Sequence, residues 1–218
     1  MLSGSSQEVN PFAERDPMVP SVSAASRAAA SASGADGEIL TRLAGVPTAI
    51  WLTPEAYPID QVGDVVAESA KQADTTDRTA VFVVYGITDR DCVGGESSGG
   101  LSPDQYEEWV ERIADAAGSR SAVILEPDAL ATASECDQVD QRTTLLREAV
   151  QELTDGGPAV YVDAGHAHWV DPTEMATMLT AAGVEDARGF STNVAGYESV
   201  EDERDYAEQV KAALGDAS

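Results

Sequence analysis

The chain alternates short runs of β type with longer stretches of helical period, and this alternation restricts the fold more than any other feature of the sequence. Strands that alternate with helices are joined by right-handed crossovers and form a parallel sheet that helices cover on both faces. The pattern therefore predicts an α/β fold, either an open doubly wound sheet or a barrel. The five runs are TAIWL (48–52), TAVFVVY (79–85), SAVILE (121–126), PAVYVD (158–163) and GFSTN (189–193).

Two of the predicted helices carry explicit start signals. In SPDQYEEWVERIADAAG, Ser102 is placed to cap the helix, Pro103 suits its first position and Gln105 would complete a capping box. A second helix is expected to begin at Asp171 and to end at Gly183. Both stretches carry an apolar stripe at helical spacing, which predicts that they pack against the sheet.

The N-terminal part of the chain has no comparable pattern. SVSAASRAAASASGADG is rich in alanine and serine, which is typical of either a helix or a flexible lead-in. A chain of 218 residues can bury a core of ordinary size within one globular domain. We therefore divide the chain into an N-terminal lead-in, 1–35, and a single domain, 36–218.

Acidic residues dominate the composition. The sequence has 39 Asp and Glu against 13 Lys and Arg, and its net charge is −26. A field of this sign repels phosphate backbones and anionic lipid surfaces, so nucleic acid and membranes are poor partners. The apolar runs of the sequence are also too short to cross a bilayer. A neutral or cationic ligand is favoured, and most of the acids are expected to form a solvated surface.

Polar and aromatic residues lie at the carboxyl end of all five predicted strands or just after it. In parallel α/β folds the carboxyl ends of the strands form the edge at which ligands bind. One such residue after a strand is usually a turn former or a helix cap, but five consecutive strands with this ending favour a functional cleft. In strand order, these residues are Trp51 and Thr53; Tyr85, Asp89, Arg90 and Asp91; Glu126 and Asp128; Asp163, His166, His168 and Trp169; and Asn193.

Two carboxylates from neighbouring strands, Asp91 and Asp128, suit glycosidic cleavage. Like charges held close together raise one pKa and keep that group protonated as the acid. The side chains of Trp51, Tyr85 and Trp169 offer flat apolar faces on which sugar rings can stack. Spacing alone leaves two structural alternatives open, a helix cap for Asp128 and an ion pair between Asp91 and the preceding arginine.

Four segments together carry a resemblance to a known family. YGITDRDC, ILEPDAL, YVDAGHAHW and FSTNVAGY, in this order and at these intervals, resemble the signature segments of glycoside hydrolase family 6, the inverting cellulases. The similarity runs from NPF at 10–12 to about the last helix, and EPD and DAGHA are its specific parts. The resemblance implies a parallel-stranded, distorted (β/α) barrel in 36–218 that hydrolyses β-1,4-glucosidic bonds in cellulose or related β-glucans with inversion.

The resemblance also assigns roles to individual residues. Asp128 would be the general acid that protonates the leaving glycosidic oxygen. Asp91 would raise the pKa of that acid and help to hold or deprotonate the attacking water, through a water chain that includes Ser97. Tyr85 would press on the sugar at the cleavage site, and Trp51 would be a stacking platform one ring further out. The positions expected to line the leaving-group side are Asp163, His166, Trp169 and Asn193.

Cys92 and Cys136 are the only cysteines. Their positions just past the second and third predicted strands are compatible with one disulfide or with two buried thiols. The family resemblance implies the disulfide, which would tie the two catalytic loops together and requires an oxidising compartment. The glycine-rich VGGESSGG that follows Cys92 has no lysine beside it, so a mobile lid is favoured over a phosphate cradle.

His166 and His168 raise a metal site as an alternative. H-x-H at the end of a strand is a familiar metal-binding arrangement, and Asp163 or Asp128 could complete a zinc set in a metal-dependent hydrolase. However, alternate residues of an extended segment point to opposite sides, and the sequence has no third histidine. We therefore prefer the carboxylate mechanism and expect no metal ion and no other cofactor.

The resemblance ends where the family continues through further strands that close its barrel. Those strands carry another aspartate of the catalytic site, a lysine, a glutamate, a stacking tryptophan and a second cysteine pair, and Ser218 precedes all of them. We therefore expect a C-terminally incomplete catalytic domain. We also expect a secreted protein, consistent with the disulfide. We expect its leader to be missing from this sequence, because MLSGSSQEVNPFAERDP has no basic start followed by an apolar stretch.

Two functions of different class are compatible with these features. One is a β-1,4-glucanase whose partner is a β-1,4-glucan or cello-oligosaccharide. The other is a catalytically inactive carbohydrate-binding remnant of such an enzyme. The sequence does not indicate whether cleavage is endo or exo, and it does not indicate an oligomeric state.

Overall fold

The computed structural model of the chain describes residues 7–8, 10–92 and 99–215. The described residues form one parallel sheet of five strands, and each strand lies inside one of the five predicted runs. The strand predictions are therefore confirmed. The strands are β1 (Ile50–Leu52), β2 (Ala80–Val84), β3 (Ser121–Leu125), β4 (Ala159–Asp163) and β5 (Gly189–Ser191).

The strand order decides between the two architectures that the sequence allowed. Each strand pairs with the next one along the chain, in the order β1-β2-β3-β4-β5. A doubly wound sheet reverses its strand order at a switch point, and this sheet does not. Because the crossovers are right-handed, a consecutive order places the crossover helices on one face. The sheet therefore has the topology of a barrel wall.

Helices connect the strands and precede the first of them. Adjacent crossover helices pack against one another along the outside of the sheet. The alanine- and serine-rich segment forms α1 and the start of α2, so it is helical. None of the helices in the described part of the chain is both long enough and apolar enough to cross a membrane. The helices are α1 (Ala24–Ser31), α2 (Gly34–Ala44), α3 (Ile59–Thr76), α4 (Pro103–Ala117), α5 (Val139–Gly156), α6 (Pro172–Ala181) and α7 (Val200–Leu214).

The predicted caps are confirmed at one helix and wrong in detail at the other. At α6, the carboxylate of Asp171 accepts hydrogen bonds from the N–H groups of Thr173 and Glu174. At α4, the Ser102 side chain makes no cap hydrogen bond. Its hydroxyl instead hydrogen-bonds the Gln105 side chain at 2.9 Å. The capping box therefore does not form, although the helix begins where it was predicted.

The two faces of the sheet are buried to different degrees. The face that packs against the helices carries two buried rows across four strands, and these rows and the apolar stripes of the helices form one core. The rows are Ile50, Phe82, Val123 and Val160, and Leu52, Val84, Leu125 and Val162. On the opposite face Trp51 is 40% exposed, and Ile124 and Tyr161 are partly exposed. The inner face of the barrel wall is thus only partly covered by described residues.

Residues before α1 attach to the amino edge of the sheet. The Gln7 side chain hydrogen-bonds the backbone on either side of the start of β4, at Pro158 O (2.6 Å) and Val160 N (3.0 Å). Pro17 forms a parallel bridge with Thr79, and Met18 is buried in the core. The division between a lead-in, 1–35, and a domain, 36–218, stays a prediction.

Candidate active site

The loops at the carboxyl edge of the sheet are rich in left-handed backbone. Among the described residues, eight other than glycine have a positive φ, and seven of them lie in loops that follow strands. A left-handed residue other than glycine costs on the order of 1–3 kcal/mol and persists where its surroundings fix it, commonly at active sites. The backbone thus marks the same edge that the sequence predicted. The seven are Asp89 and Asp91 after β2; Glu126, Asp128 and Asp137 after β3; His168 after β4; and Asn193 after β5.

Asp128 combines partial burial with a neighbouring negative charge. Burial, and then the carboxylate of Asp91, raise the pKa of Asp128 above its usual range. The backbone of Asp128 is held on both sides: its N–H donates to Asp163 Oδ2 (3.0 Å), and its carbonyl accepts from Thr132 Oγ1 (2.9 Å). The backbone that carries the carboxyl group is therefore held in place, and the raised pKa favours the protonated form that a general acid needs.

Tyr85 joins Asp91 to the stacking surface of Trp51. Burial raises the pKa of Tyr85, and the charge and hydrogen bond of Asp91 raise it further. The Trp51 and Tyr85 rings meet edge to face with centroids 5.6 Å apart. The Arg90 guanidinium lies 4.8 Å from the centroid of the Tyr85 ring and pairs with Glu55 at 2.7 Å. The sequence left open an ion pair between Arg90 and Asp91. The ion pair that Arg90 forms is instead with Glu55.

Asp163 lies beneath Asp128. Its side chain is 2% exposed, and Oδ2 accepts hydrogen bonds from Asp128 N–H (3.0 Å) and Gly165 N–H (2.8 Å). Oδ1 has no hydrogen-bond partner among the described residues. Burial raises the pKa of Asp163 to about 8. In this arrangement the carboxyl group supports the Asp128 backbone, and its predicted place along the leaving-group side stays a prediction.

His166 and Trp169 form an aromatic pair after β4. Their rings are 4.8 Å apart and tilted by 39°, and His166 Nδ1 contacts Ala167 O at 2.7 Å. Asn193, after β5, uses its side-chain amide within its own loop. It donates to Glu198 O (3.2 Å) and accepts from Glu198 N–H (3.1 Å). The pair offers a surface for a ring, whereas the amide of Asn193 closes the loop 193–198.

The part of the chain that the structure describes contains no cluster of side chains that would support the zinc alternative. Residues 7–8, 10–92 and 99–215 contain no group of three or more His, Cys, Asp or Glu side chains arranged to hold a metal ion. His168 is mostly exposed, and its Nδ1 lies 3.5 Å from a carboxylate oxygen of Glu198. The H-x-H pattern therefore does not bring a zinc set together with Asp128 or Asp163.

Cys92 and Cys136 form a disulfide, as the family resemblance implied. Their Cα atoms are 6.2 Å apart, and the bond joins the loop after β2 to the loop after β3. The predicted cross-link between the two loops is thus confirmed. Ser97 and most of VGGESSGG lie outside the described residues. The water chain through Ser97 and the lid stay predictions.

Comparison with known proteins decides the family. A family model described as glycosyl hydrolases family 6 matches residues 9–217. The chain belongs to glycosyl hydrolase family 6. Endoglucanase A of Cellulomonas fimi is 37% identical to it over 195 residues, which cover 87% of this chain and 42% of that protein. The family 6 chain spans about half the length of the curated relatives it matches.

Solved structures confirm the predicted fold class. The endoglucanase Cel6 of Mycobacterium tuberculosis, in complex with methyl-cellobiosyl-4-deoxy-4-thio-β-D-cellobioside, is 38% identical with a TM-score of 0.85. The match covers 94% of this chain and 71% of that one. The catalytic core of the cellobiohydrolase Cel6A of Chaetomium thermophilum shares the fold at 24% identity, with a TM-score of 0.79, over 96% of this chain and 71% of its own.

Two buried charged residues of the family 6 chain connect its loops. Glu126 is fully buried, and its carboxylate oxygens accept from Gly86 N–H at 2.8 and 3.1 Å. Burial raises the pKa of Glu126 to about 7. Arg142, in α5, is also buried and was not singled out from the sequence. The available signal was its place in the apolar stripe of that helix, between Val139 and Leu145.

Proposed function

We propose that this family 6 chain hydrolyses β-1,4-glucosidic bonds in cellulose or a related β-glucan with inversion, and that Asp128 is the general acid. The observation that carries the proposal is the half-buried carboxyl group of Asp128, whose pKa is raised by burial and by Asp91. It lies at the carboxyl edge of a barrel wall, where ligands bind. The relatives named as endoglucanases, one of them solved with a thio-linked cello-oligosaccharide, support the substrate class.

In the proposed reaction, Asp128 transfers its proton to the glycosidic oxygen while the bond from that oxygen to the anomeric carbon breaks. The bonding electrons stay on the leaving oxygen. A water molecule attacks the anomeric carbon from the opposite face and gives up its proton in the direction of Asp91. An inverting enzyme holds its two carboxyl groups about 6.5 to 9.5 Å apart, because that water must fit between the sugar and the base.

The aromatic side chains divide the proposed cleft into two sides. Trp51 and Tyr85 meet edge to face, and Trp51 is exposed enough to stack on a sugar ring. His166 and Trp169 form the surface proposed for the leaving-group side. The side chains of Asp163 and Asn193 are engaged in hydrogen bonds to backbone groups. They would therefore contribute to that side by fixing the backbone, and not by binding the sugar directly. A charge of −26 does not repel a neutral glucan.

The disulfide supports the proposal that the protein acts outside the cell. Disulfides persist in oxidising compartments, and Cys92 and Cys136 join the two loops that carry the proposed catalytic carboxylates. Cellulose is also too large to enter a cell. We therefore propose that the chain belongs to a secreted enzyme.

A carbohydrate-binding protein without turnover is the second candidate. The stacking surfaces of Trp51 and Trp169 do not depend on the acid, so binding would survive without hydrolysis. Affinity for cello-oligosaccharides is expected from both candidates, whereas release of reducing ends is expected from the hydrolase alone.

The proposal is tested by the release of reducing ends from a soluble β-1,4-glucan. The wild type, Asp128→Ala and a control, Asp140→Ala, are compared at equal concentration. Asp140 is an exposed acid in the first turn of α5. We expect activity in the wild type and the control and none in Asp128→Ala, with oligosaccharide affinity retained by all three in calorimetry. Affinity without turnover in every variant would favour the binding protein, and equal turnover in Asp128→Ala would refute its role as the acid.

A further inference from the structure

Arg142 is a buried cation at the centre of the two loops that carry the proposed catalytic carboxylates. Its side chain is 1% exposed, and it lies in α5 on the stripe that faces the core. A buried guanidinium is strongly destabilising unless its donors are paired. The partners that pair these donors lie in the loops after β2 and β3.

One guanidinium nitrogen binds the loop after β2, and another binds the loop after β3. Nη2 donates to Asp89 O (2.9 Å) and contacts Cys92 Sγ (3.2 Å). Nη1 donates to Ala129 O (2.7 Å) and to Thr132 Oγ1 (2.5 Å). The rigid, planar fork of an arginine presents these donors at a fixed separation. It therefore fixes the distance between the two loops as well as the position of each.

The third nitrogen orients the fork. Arg142 Nε donates to Gln138 Oε1 (3.0 Å), and Gln138 Nε2 donates to Asp89 Oδ2 (3.3 Å). All three nitrogens of the guanidinium are thus used, and Gln138 returns to the same loop that Nη2 binds. Asp89 therefore receives hydrogen bonds from both Arg142 and Gln138, which are themselves hydrogen-bonded to each other.

The partners of Arg142 lie next to the proposed catalytic residues. Asp91 lies between Asp89 and Cys92, and Asp128 directly precedes Ala129. The disulfide also joins the loops, but it does so at Cys136, further along the chain from Asp128. On the loop after β3, the arginine therefore binds closer to the proposed acid than the disulfide does, and on the loop after β2 both attach beside Asp91.

We propose that Arg142 is a positioning residue that sets the separation of Asp91 and Asp128. The inference rests on the hydrolysis proposed above, in which that separation must admit one water molecule and place the acid on the leaving oxygen. A misplacement of about 1 Å by a residue that does not touch the substrate can cost on the order of 10²-fold in rate. Arg142 acts on turnover through the two carboxylates, and stacking on Trp51 does not depend on it.

The first test compares Arg142→Met, Arg142→Lys and a control on the same helix, Arg147→Met. Arg147 also donates to two backbone carbonyls, Ala181 O and Thr180 O at 2.9 Å each, but it is 41% exposed and bridges to α6. We expect Arg142→Met to lower kcat about 10²-fold on a soluble glucan while KM changes less than about threefold. Arg142→Lys should recover part of that loss, since an ammonium group keeps the charge but not the planar fork. Arg147→Met should leave kcat unchanged.

Hydrogen–deuterium exchange separates this inference from the proposed function. We expect faster exchange in residues 86–92 and 126–133 of Arg142→Met, and in neither segment of Arg147→Met, whether or not the wild type hydrolyses glucan. A wild type without turnover would remove the proposed function, and unchanged exchange in both loops would overturn the positioning role. Unchanged kcat in a folded Arg142→Met, with only a lower melting temperature, would also overturn it, because the role would then be structural alone.

Discussion

The buried carboxyl group of Asp163 is expected to make the stability of the protein depend on pH, and Asp163→Asn removes the contribution of this group to that dependence. Burial raises the pKa of this group to about 8 in the folded chain, against about 4 in an unfolded one. Between these two values the folded state keeps a proton that the unfolded state has released. The contribution of Asp163 to the free energy of unfolding therefore falls as the pH rises, by about 1.4 kcal/mol per pH unit.

The magnitude follows from the width of that pH window. Four pH units correspond to about 5 kcal/mol, fully present as stability below pH 4 and lost once the pH passes 8. The asparagine oxygen can accept the hydrogen bonds that Oδ2 accepts from Asp128 N–H and Gly165 N–H. The amide does not titrate, so its effect on stability is the same at every pH. Relative to the wild type, Asp163→Asn should gain up to about 5 kcal/mol between pH 4 and pH 8.

Urea unfolding at pH 4, 6 and 8 measures this difference. The other carboxyl groups titrate in both proteins, so their contribution largely cancels in the comparison at each pH. Asp140→Asn is the control, because Asp140 is exposed and its replacement should change stability little at any pH. A stability difference between Asp163→Asn and the wild type that is the same at all three pH values would refute the reasoning.

Three further predictions follow from the same contacts. Burial and Asp91 together raise the pKa of Asp128, so Asp91→Asn should move the basic limb of the pH profile of kcat/KM to lower pH; an unmoved limb would contradict this. Trp51→Ala should weaken cello-oligosaccharide binding in calorimetry by about 1 to 3 kcal/mol, on the scale of aromatic stacking, and unchanged affinity would remove Trp51 from the cleft. Gly86→Ala would place a Cβ 2.8 Å from a tryptophan ring of α4 and should lower the unfolding free energy by about 1–3 kcal/mol. Gly63→Ala, with 3.5 Å of space, should not lower it in the same denaturation experiment.

The fold was largely predictable because its signals are local. The first four strands are short apolar runs, and the helices follow their apolar stripes, so both kinds of element were recognised from neighbouring residues. The strand order was not predictable from the pattern, because doubly wound sheets and barrels share the same alternation. At Ser102 the capping pattern was present, yet the hydroxyl pairs with Gln105 instead of the backbone.

The candidate site was predictable in position but not in its supporting contacts. Residues after strands of a parallel sheet must meet at one edge, so Asp91 and Asp128 could be placed there from the sequence. The burial of Asp163 depends on packing between distant segments, which a sequence pattern does not record. Asn193 is held by Glu198 of its own loop, and that contact depends on the loop conformation. Arg142 had one signal, a charged residue within an apolar stripe.

The most direct test of the central claim is the configuration of the first product, followed by proton NMR during cleavage of a soluble cello-oligosaccharide. Inversion with Asp128 as the acid predicts that the α-anomer appears first and then equilibrates to the β-anomer, and that Asp128→Ala produces neither. Early accumulation of the β-anomer would contradict inversion, and the same product at the same rate from Asp128→Ala would contradict the role of Asp128 as the acid.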